Sequence, residues 1–247
     1  MTKLGIWMEK VPEGQKARVI TNNFVSCRGT FLIYNDAECT KAIDKHWTSD
    51  VAAIVPDMGR YVRDLTKYGP LKMGLQKVKA LGVFNIMKTG YPLIPKAFKI
   101  LAKDMKIILH ILVHLDYLEL RKAHPTKLFL HYQMTDLALA NNNRDLIAAY
   151  LSLQKKYPHA ELGLMTKNLT LLESKLREWD LYAPAVLAPF NSKGYGMRSS
   201  KRACEELLTT PLRTYYAYGV ASMAKRSDEL RYLEKIGIKR AYLAFQP

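Results

Sequence analysis

From about Ser49 onward the chain alternates with a regular beat: a short continuous apolar run, then a longer amphipathic stretch. "DVAAIVPD", "VFNIMKTGYP", "KIILHILVH", "TKLFLHYQMTD", "AELGLMTKN", "APAVLAPFNSKGYGM" and "LRTYYAYGVASM" are each followed by a helical pattern, and "IKRAYLAFQP" closes the sequence. The runs are continuous, not alternating, as expected of strands buried on both faces of a parallel sheet. Helix signals agree with the beat. Ser199 or Ser200 precedes "KRACEELL", Asn168 and Thr170 precede "LLESKL", and Gly237 follows "ELRYLEKI" as a stop. Roughly eight β–α units in about 250 residues predict an α/β fold, a (β/α)8 TIM-like barrel over residues 49–247. Its last strand, "RAYLAF", ends so near the C-terminus that the barrel is expected to lack a helix after it.

Residues 1–48 do not follow the beat. "ARVITNN" and "SCRGTFLIYND", with Arg28-Gly29 between them, read as strand, turn and strand, and predict an N-terminal β-hairpin extension of the barrel.

Composition narrows the function classes. No run approaches the ~18 apolar residues of a membrane span, and the N-terminus lacks the plan of a secretory signal, so a cytoplasmic protein with no membrane partner is expected. Three Cys give no disulfide framework. The six His fall in no zinc-ligand spacing. His110 and His114 are four apart, which would suit a metal on a helix, but their segment reads as a strand. No metal is predicted. The net charge of +16 attracts polyanions, either phosphorylated or carboxylated metabolites or RNA, although much of it is dispersed among acidic residues at helical spacing.

In a barrel the site lies at the C-terminal strand ends. Those positions carry a polar ring rich in cations. Lys88, Lys167 and Lys193 are candidate clamps for a phosphate or carboxylate. Lys167 follows the apolar "LGLM"; desolvated there it would be a base or Schiff-base lysine. His131, at the end of "KLFLH", and Tyr91 are candidate proton carriers, completing a catalytic set of Lys167, His131 and Tyr91. Gln133, Asn168, Asn191, Tyr195 and Tyr218 join Lys88 and Lys193 as ligand-binding candidates. His114 and Asp116 form a further acid–base pair if both face one way. "PFNSKGYGM" places an Asn, a Lys, a Tyr and two glycines before a Ser-capped helix, a setting that favours an anion. It lacks the Gly-Lys-Ser/Thr ending of a P-loop.

Over about residues 70–245 the order of these motifs resembles the aldo-keto reductases. "LKMGLQKVKALGVFNIMKTGYP" is similar to that family's helix and second strand, and "IPKAFKILAKDMKIIL" to its next helix and third strand. "LFLHYQMTD", "LGLMTKNLTLLESKL" and "TYYAYGVASMA" are similar to later strand segments. The resemblance implies a barrel oxidoreductase using NADPH through an Asp, Tyr, Lys and His tetrad. Carried over, Tyr91 and His131 are retained. The Asp falls near Ile86 or Met87 and the Lys near Val113 or His114, so both are replaced, and the family's phosphate-gripping segment after the last strand has no counterpart. The residues themselves assign no cofactor. Three readings follow: a barrel enzyme acting on a small anionic metabolite, a divergent NADPH-dependent reductase, and a non-catalytic basic barrel binding RNA or an RNA-containing assembly.

Overall fold

A computed structural model describes residues 2–23, 29–44, 50–81, 104–220, 226–238 and 240–244. Eight strands close into a parallel barrel in the order β1 to β8, with β1 pairing β8. They are β1 (Lys3–Trp7), β2 (Thr30–Ile33), β3 (Asp50–Val55), β4 (Lys127–Leu130), β5 (Glu161–Met165), β6 (Ala185–Pro189), β7 (Thr214–Val220) and β8 (Arg240–Ala244). Among the described residues the helices are α1 (Lys16–Asn23), α2 (Ala37–Asp44), α3 (Met58–Leu81, broken at Gly69), α4 (Met105–Leu120), α5 (Tyr132–Ala140), α6 (Arg144–Ser152), α7 (Leu169–Glu178), α8 (Lys201–Thr209) and α9 (Arg226–Lys235). The predicted (β/α)8 barrel is therefore present.

Two of its strands are not the ones the sequence suggested. The N-terminal segment is no hairpin extension. Its strands β1 and β2 run parallel, in register from Ile6 with Phe31, and belong to the barrel wall. "ARVITNN" is the body of α1, which makes the crossover that parallel neighbours require. The reverse error concerns "KIILHILVH", which lies inside α4. An apolar run buried nearly all round cannot be told from a central strand by pattern alone. Asp104 starts that helix by accepting from Lys106 N at 2.9 Å, and burial of Leu109, Ile111, Leu112, Val113 and Leu115 fixes it against β3 and its neighbours. "VFNIMKTGYP" lies outside the described residues, as does the chain after Ala244. Ala52 to Val55 pairs directly with Lys127 to Leu130, so the wall closes without another strand between them.

Side chains alternate across each strand, which divides the apolar residues into two cores. Trp7, Leu32, Ile54, Phe129, Leu187 and Tyr242 turn inward with others to fill the barrel. Phe31, Ile33, Val55, Leu130, Leu164 and Val186 turn outward under the helices. The inner core is filled by large residues opposite small ones. A Cβ on Gly163 would lie 2.6 Å from the Phe129 ring, so only glycine admits that ring. Of the sequence-read caps, Asn168 makes no side-chain bond and Ser200 does. Ser200 accepts from Ala203 N at 3.1 Å to start α8.

Candidate active site at the barrel mouth

Two cavities open at the C-terminal ends of the strands. The first, about 550 Å³, is lined by Glu9, Tyr34, Asp57, His131, Tyr132 and Gln133 among others, from the ends of β1 to β4. The second, about 340 Å³, is lined by Lys167, Asn191, Lys193, Tyr195, Tyr218 and Glu229 among others, from the ends of β5 to β7. They meet at one contact: the Lys167 ammonium, on the second, lies 3.9 Å from the centroid of the Tyr132 ring, on the first.

His131 is the residue whose chemistry is best defined. It ends β4 and caps α5, with Nδ1 accepting from Gln133 N at 3.1 Å. Burial, and then the charge of Lys167, push its pKa down to about 4. The ring is therefore neutral at neutral pH. Because Nδ1 is an acceptor, the proton resides on Nε2. Tyr34, at the end of β2, packs its ring 5.8 Å from that of His131. Burial first, and then the carboxylates of Glu9 and Asp57, raise the Tyr34 phenol, so its hydroxyl keeps its proton.

Carboxylates at the rim are held by the protein's own donors. Asp57 Oδ1 accepts from Arg60 N at 3.0 Å. Asp136 accepts from Thr166 Oγ1 at 2.5 Å and Lys167 N at 3.1 Å. Glu229 accepts from both the backbone N–H and the hydroxyl of Ser192. Deepest lies Asp116 of α4, fully buried. It accepts from Asn35 Nδ2 at 2.8 Å, Asp57 N at 2.6 Å and Tyr61 Oη at 2.8 Å, and so joins the ends of β2 and β3. Burial pushes its pKa up to about 6, against the pull of Arg60.

The loop after β6 answers a question its sequence raises. Asn191 closes it, Oδ1 accepting from Tyr195 N at 2.9 Å while Nδ2 donates to Tyr195 O at 2.8 Å. Gly194 N and Met197 N donate to loop carbonyls, and Ser192 N donates to Glu229. Most of its backbone donors, those of Ser192, Gly194, Tyr195, Met197 and Arg198, are engaged within the protein, so the loop is built as a turn closed on itself.

The predicted residues separate accordingly. His131 and Gln133 meet at the first cavity, and Lys167, Asn191, Lys193, Tyr195 and Tyr218 at the second. Asn168 begins α7 without a side-chain cap and lines neither. Tyr91 and Lys88 lie outside the described residues. Lys167 is exposed, so the desolvation that would make it a Schiff-base lysine is missing. His114 and Asp116 do not pair. On a helix they face apart, and His114 Nδ1 meets Tyr157 Oη at 2.9 Å. His110 and His114 do share that helix, yet His110 bonds Ala149 O at 2.9 Å, and among the described residues no His, Cys, Asp and Glu cluster could hold a metal. No described helix is long and apolar enough to cross a membrane.

Sequence reasoning missed Tyr34, whose segment it placed in a hairpin, and Trp7, which ends a strand it did not assign. "FLIYND" does carry the signal: an apolar run ending in polar residues ahead of a helix. Tyr218 was among the predicted residues, and the structure adds its setting. The β7–β8 pairing shifts register between Tyr218 and Val220, around Gly219 with φ of 68°. Such bulges re-aim side chains beside active sites.

No described protein family matches the sequence, and no curated protein is detectably similar to it. Solved structures do resemble it in fold. A thermostable aldo-keto reductase crystallised with the inhibitor epalrestat superposes with a TM-score of 0.55 at 8% identity, covering 100% of this chain and 86% of that one. The aldose reductase from Schistosoma japonicum gives 0.54 at 9% identity, covering 99% and 79%. At such identity the likeness is one of fold alone, that of a closed parallel (β/α)8 barrel.

Proposed function

We propose that this chain is a barrel enzyme that polarises a carbonyl or alkoxide oxygen of a small anionic metabolite at the mouth of the barrel. One observation carries the reading: His131 is a neutral imidazole whose Nδ1 is engaged, leaving Nε2–H as a fixed donor in the first cavity. A neutral ring N–H held in place stabilises negative charge developing on oxygen, without having to be protonated or reorganised first. The Tyr34 hydroxyl is a second donor beside it. The reading assigns His131 and Tyr34 to the reacting oxygen. The test is turnover on a panel of small keto and hydroxy acids and their phosphorylated counterparts. His131→Asn keeps an acceptor for the α5 N-terminus but removes the Nε2 donor. Turnover is expected to fall by about 10²–10³-fold while the unfolding midpoint at neutral pH holds. Unchanged turnover in His131→Asn removes the reading.

A second reading, reduction of a carbonyl with a nicotinamide cofactor, is favoured by the shared fold with aldo-keto reductases. The cofactor's pyrophosphate needs several convergent donors. The loop after β6 has its N–H groups of Ser192, Gly194 and Tyr195 already engaged. Those three donors are therefore not free for a pyrophosphate, and no step is derived through the dinucleotide. Titration with NADPH decides: saturable binding favours this reading, and none at millimolar cofactor removes it.

A further inference from the structure

The mouth has an imbalance that the proposed chemistry does not use. Three of its carboxylates are engaged: Asp57, Asp136 and Glu229 accept from backbone or hydroxyl donors. Several of its donors are not. Tyr218 is 5% exposed, lines the second cavity, and has no hydrogen-bond partner for its buried hydroxyl. Trp7 packs edge-on against it at 5.5 Å, is 8% exposed, and has a buried Nε1–H in the same condition. An indole N–H can only donate. The ammonium groups of Lys167 and Lys193 lie over the rings of Tyr132 and Tyr195, at 3.9 and 5.9 Å from the centroids.

A buried hydroxyl left unpaired is destabilising, so native structures seldom keep one without a use. A ligand that satisfies this set must bring acceptors and negative charge. We propose that the second cavity is the seat for a carboxylate or phosphate group of the substrate, held by the Tyr218 hydroxyl and the Lys193 and Lys167 ammonium groups. This rests on the reading of His131 only for what happens at the substrate's other end. The two cavities meet at Lys167 and Tyr132, so a small molecule anchored by its anionic end in the second extends its oxygenated carbon toward His131 in the first. Glu229 also lines the seat, but both its oxygens accept from Ser192, and two cations face one carboxylate. Closure of the loop after β6 on itself agrees with a compact oxyanion held by side chains.

The test is thermal unfolding at constant ionic strength with inorganic phosphate, with succinate, and with glycerol as the neutral control. Wild-type protein is expected to be stabilised saturably by phosphate, succinate or both, and not by glycerol; whichever acts names the group. Tyr218→Phe is expected to melt higher than wild type without anion, since it removes an unpaired buried hydroxyl, and to bind the anion about tenfold more weakly. Lys193→Met, an exposed substitution, is expected to keep the anion-free midpoint and weaken binding similarly. Absence of saturable stabilisation by either anion overturns the proposal. So does equal binding by wild type and Tyr218→Phe, which would assign the effect to diffuse attraction by the +16 surface. His131→Asn separates this proposal from the preceding one: it should bind the anion as wild type does while losing turnover. Anion binding with His131-independent turnover would leave the seat standing and remove the chemistry.

Discussion

Asp50, Lys127 and Arg240 at the N-terminal end of the barrel and Tyr218, Trp7 and Lys167 at the other are drawn from similar groups but arranged to opposite effect. At the N-terminal end charge faces charge. Asp50 accepts from Thr126 Oγ1 at 2.8 Å and pairs with Lys127 at 3.3 Å and Arg240 at 2.5 Å. Both cations also lie over the Tyr216 ring, at 5.9 and 5.8 Å. At the C-terminal end Asp57, Asp136 and Glu229 are held by backbone and hydroxyl donors, while Tyr218 and Lys167 line the second cavity and the Trp7 indole packs against Tyr218. At one end the charges close on each other; at the other lies the proposed seat. The contrast teaches that polar groups in a barrel mark a site by an unbalanced sum of donors and acceptors, not by their number.

The sharpest way to break this comparison is to unbalance the closed end. Asp50→Ala leaves Lys127 and Arg240 facing each other, 14% and 13% exposed, with no carboxylate between them. A loss of about 3 kcal/mol is expected in urea unfolding, the low end for a broken buried pair because Asp50 itself is 31% exposed. Anion binding at the mouth should be unchanged; a loss there would mean the two ends are not independent.

Acidification comes next in size. The folded pKa of His131, about 4, lies below its ordinary value of 6.5, lowered by burial and Lys167. Below about pH 6.5 the unfolded chain takes up a proton that the folded ring refuses, so stability present above that pH is lost as pH falls toward 4. His114, also lowered to about 4 by burial and Lys156, acts in the same direction. Asp116 opposes them: raised to about 6 from 3.8, it is protonated first in the folded state and offsets part of the loss. Stability is expected to decline between pH 6.5 and 4, and His131→Asn to flatten the decline by about 2–3 kcal/mol. Parallel curves for wild type and variant would show that His131 is not held neutral.

The smallest effect isolates partnered from unpartnered hydroxyls. Tyr150 is fully buried in the outer core and donates to Leu128 O at 2.7 Å. Tyr150→Phe should cost about 1 kcal/mol in urea unfolding, opposite in sign to Tyr218→Phe, although both remove one buried oxygen. The same sign for both would dissolve the distinction between the two settings.

Much of the fold was legible because a buried parallel strand has a simple signature, and β3 to β8 carry it. The failures have definite causes. "IILHILVHL" is buried on nearly every side, so its helical period is hidden, while α1, with a mainly polar composition, reads as an exposed strand. Together they displaced the strand count and hid Tyr34. The site was legible in its parts but not in its grouping. His131 and Tyr218 stand at strand ends that the pattern predicts. That one is a locked donor and the other an unpaired hydroxyl depends on Gln133 N, on the bulge at Gly219 and on neighbouring strands, none of which follows from sequence spacing.

Asp116 links these levels. A single side chain on α4 accepts from Asn35, from the backbone of Asp57 and from Tyr61, and so fixes where two strands end at the mouth. The height of the rim there is set by the rotational phase of a helix on the outside of the barrel. Each residue inserted into α4 ahead of position 116 would turn the carboxylate by about 100°. It would unhook Asn35 and Asp57, which line the first cavity, without substituting either. For this barrel, then, variation in the outer helix is a means of retuning the mouth, and Asp116 is the axle on which it turns.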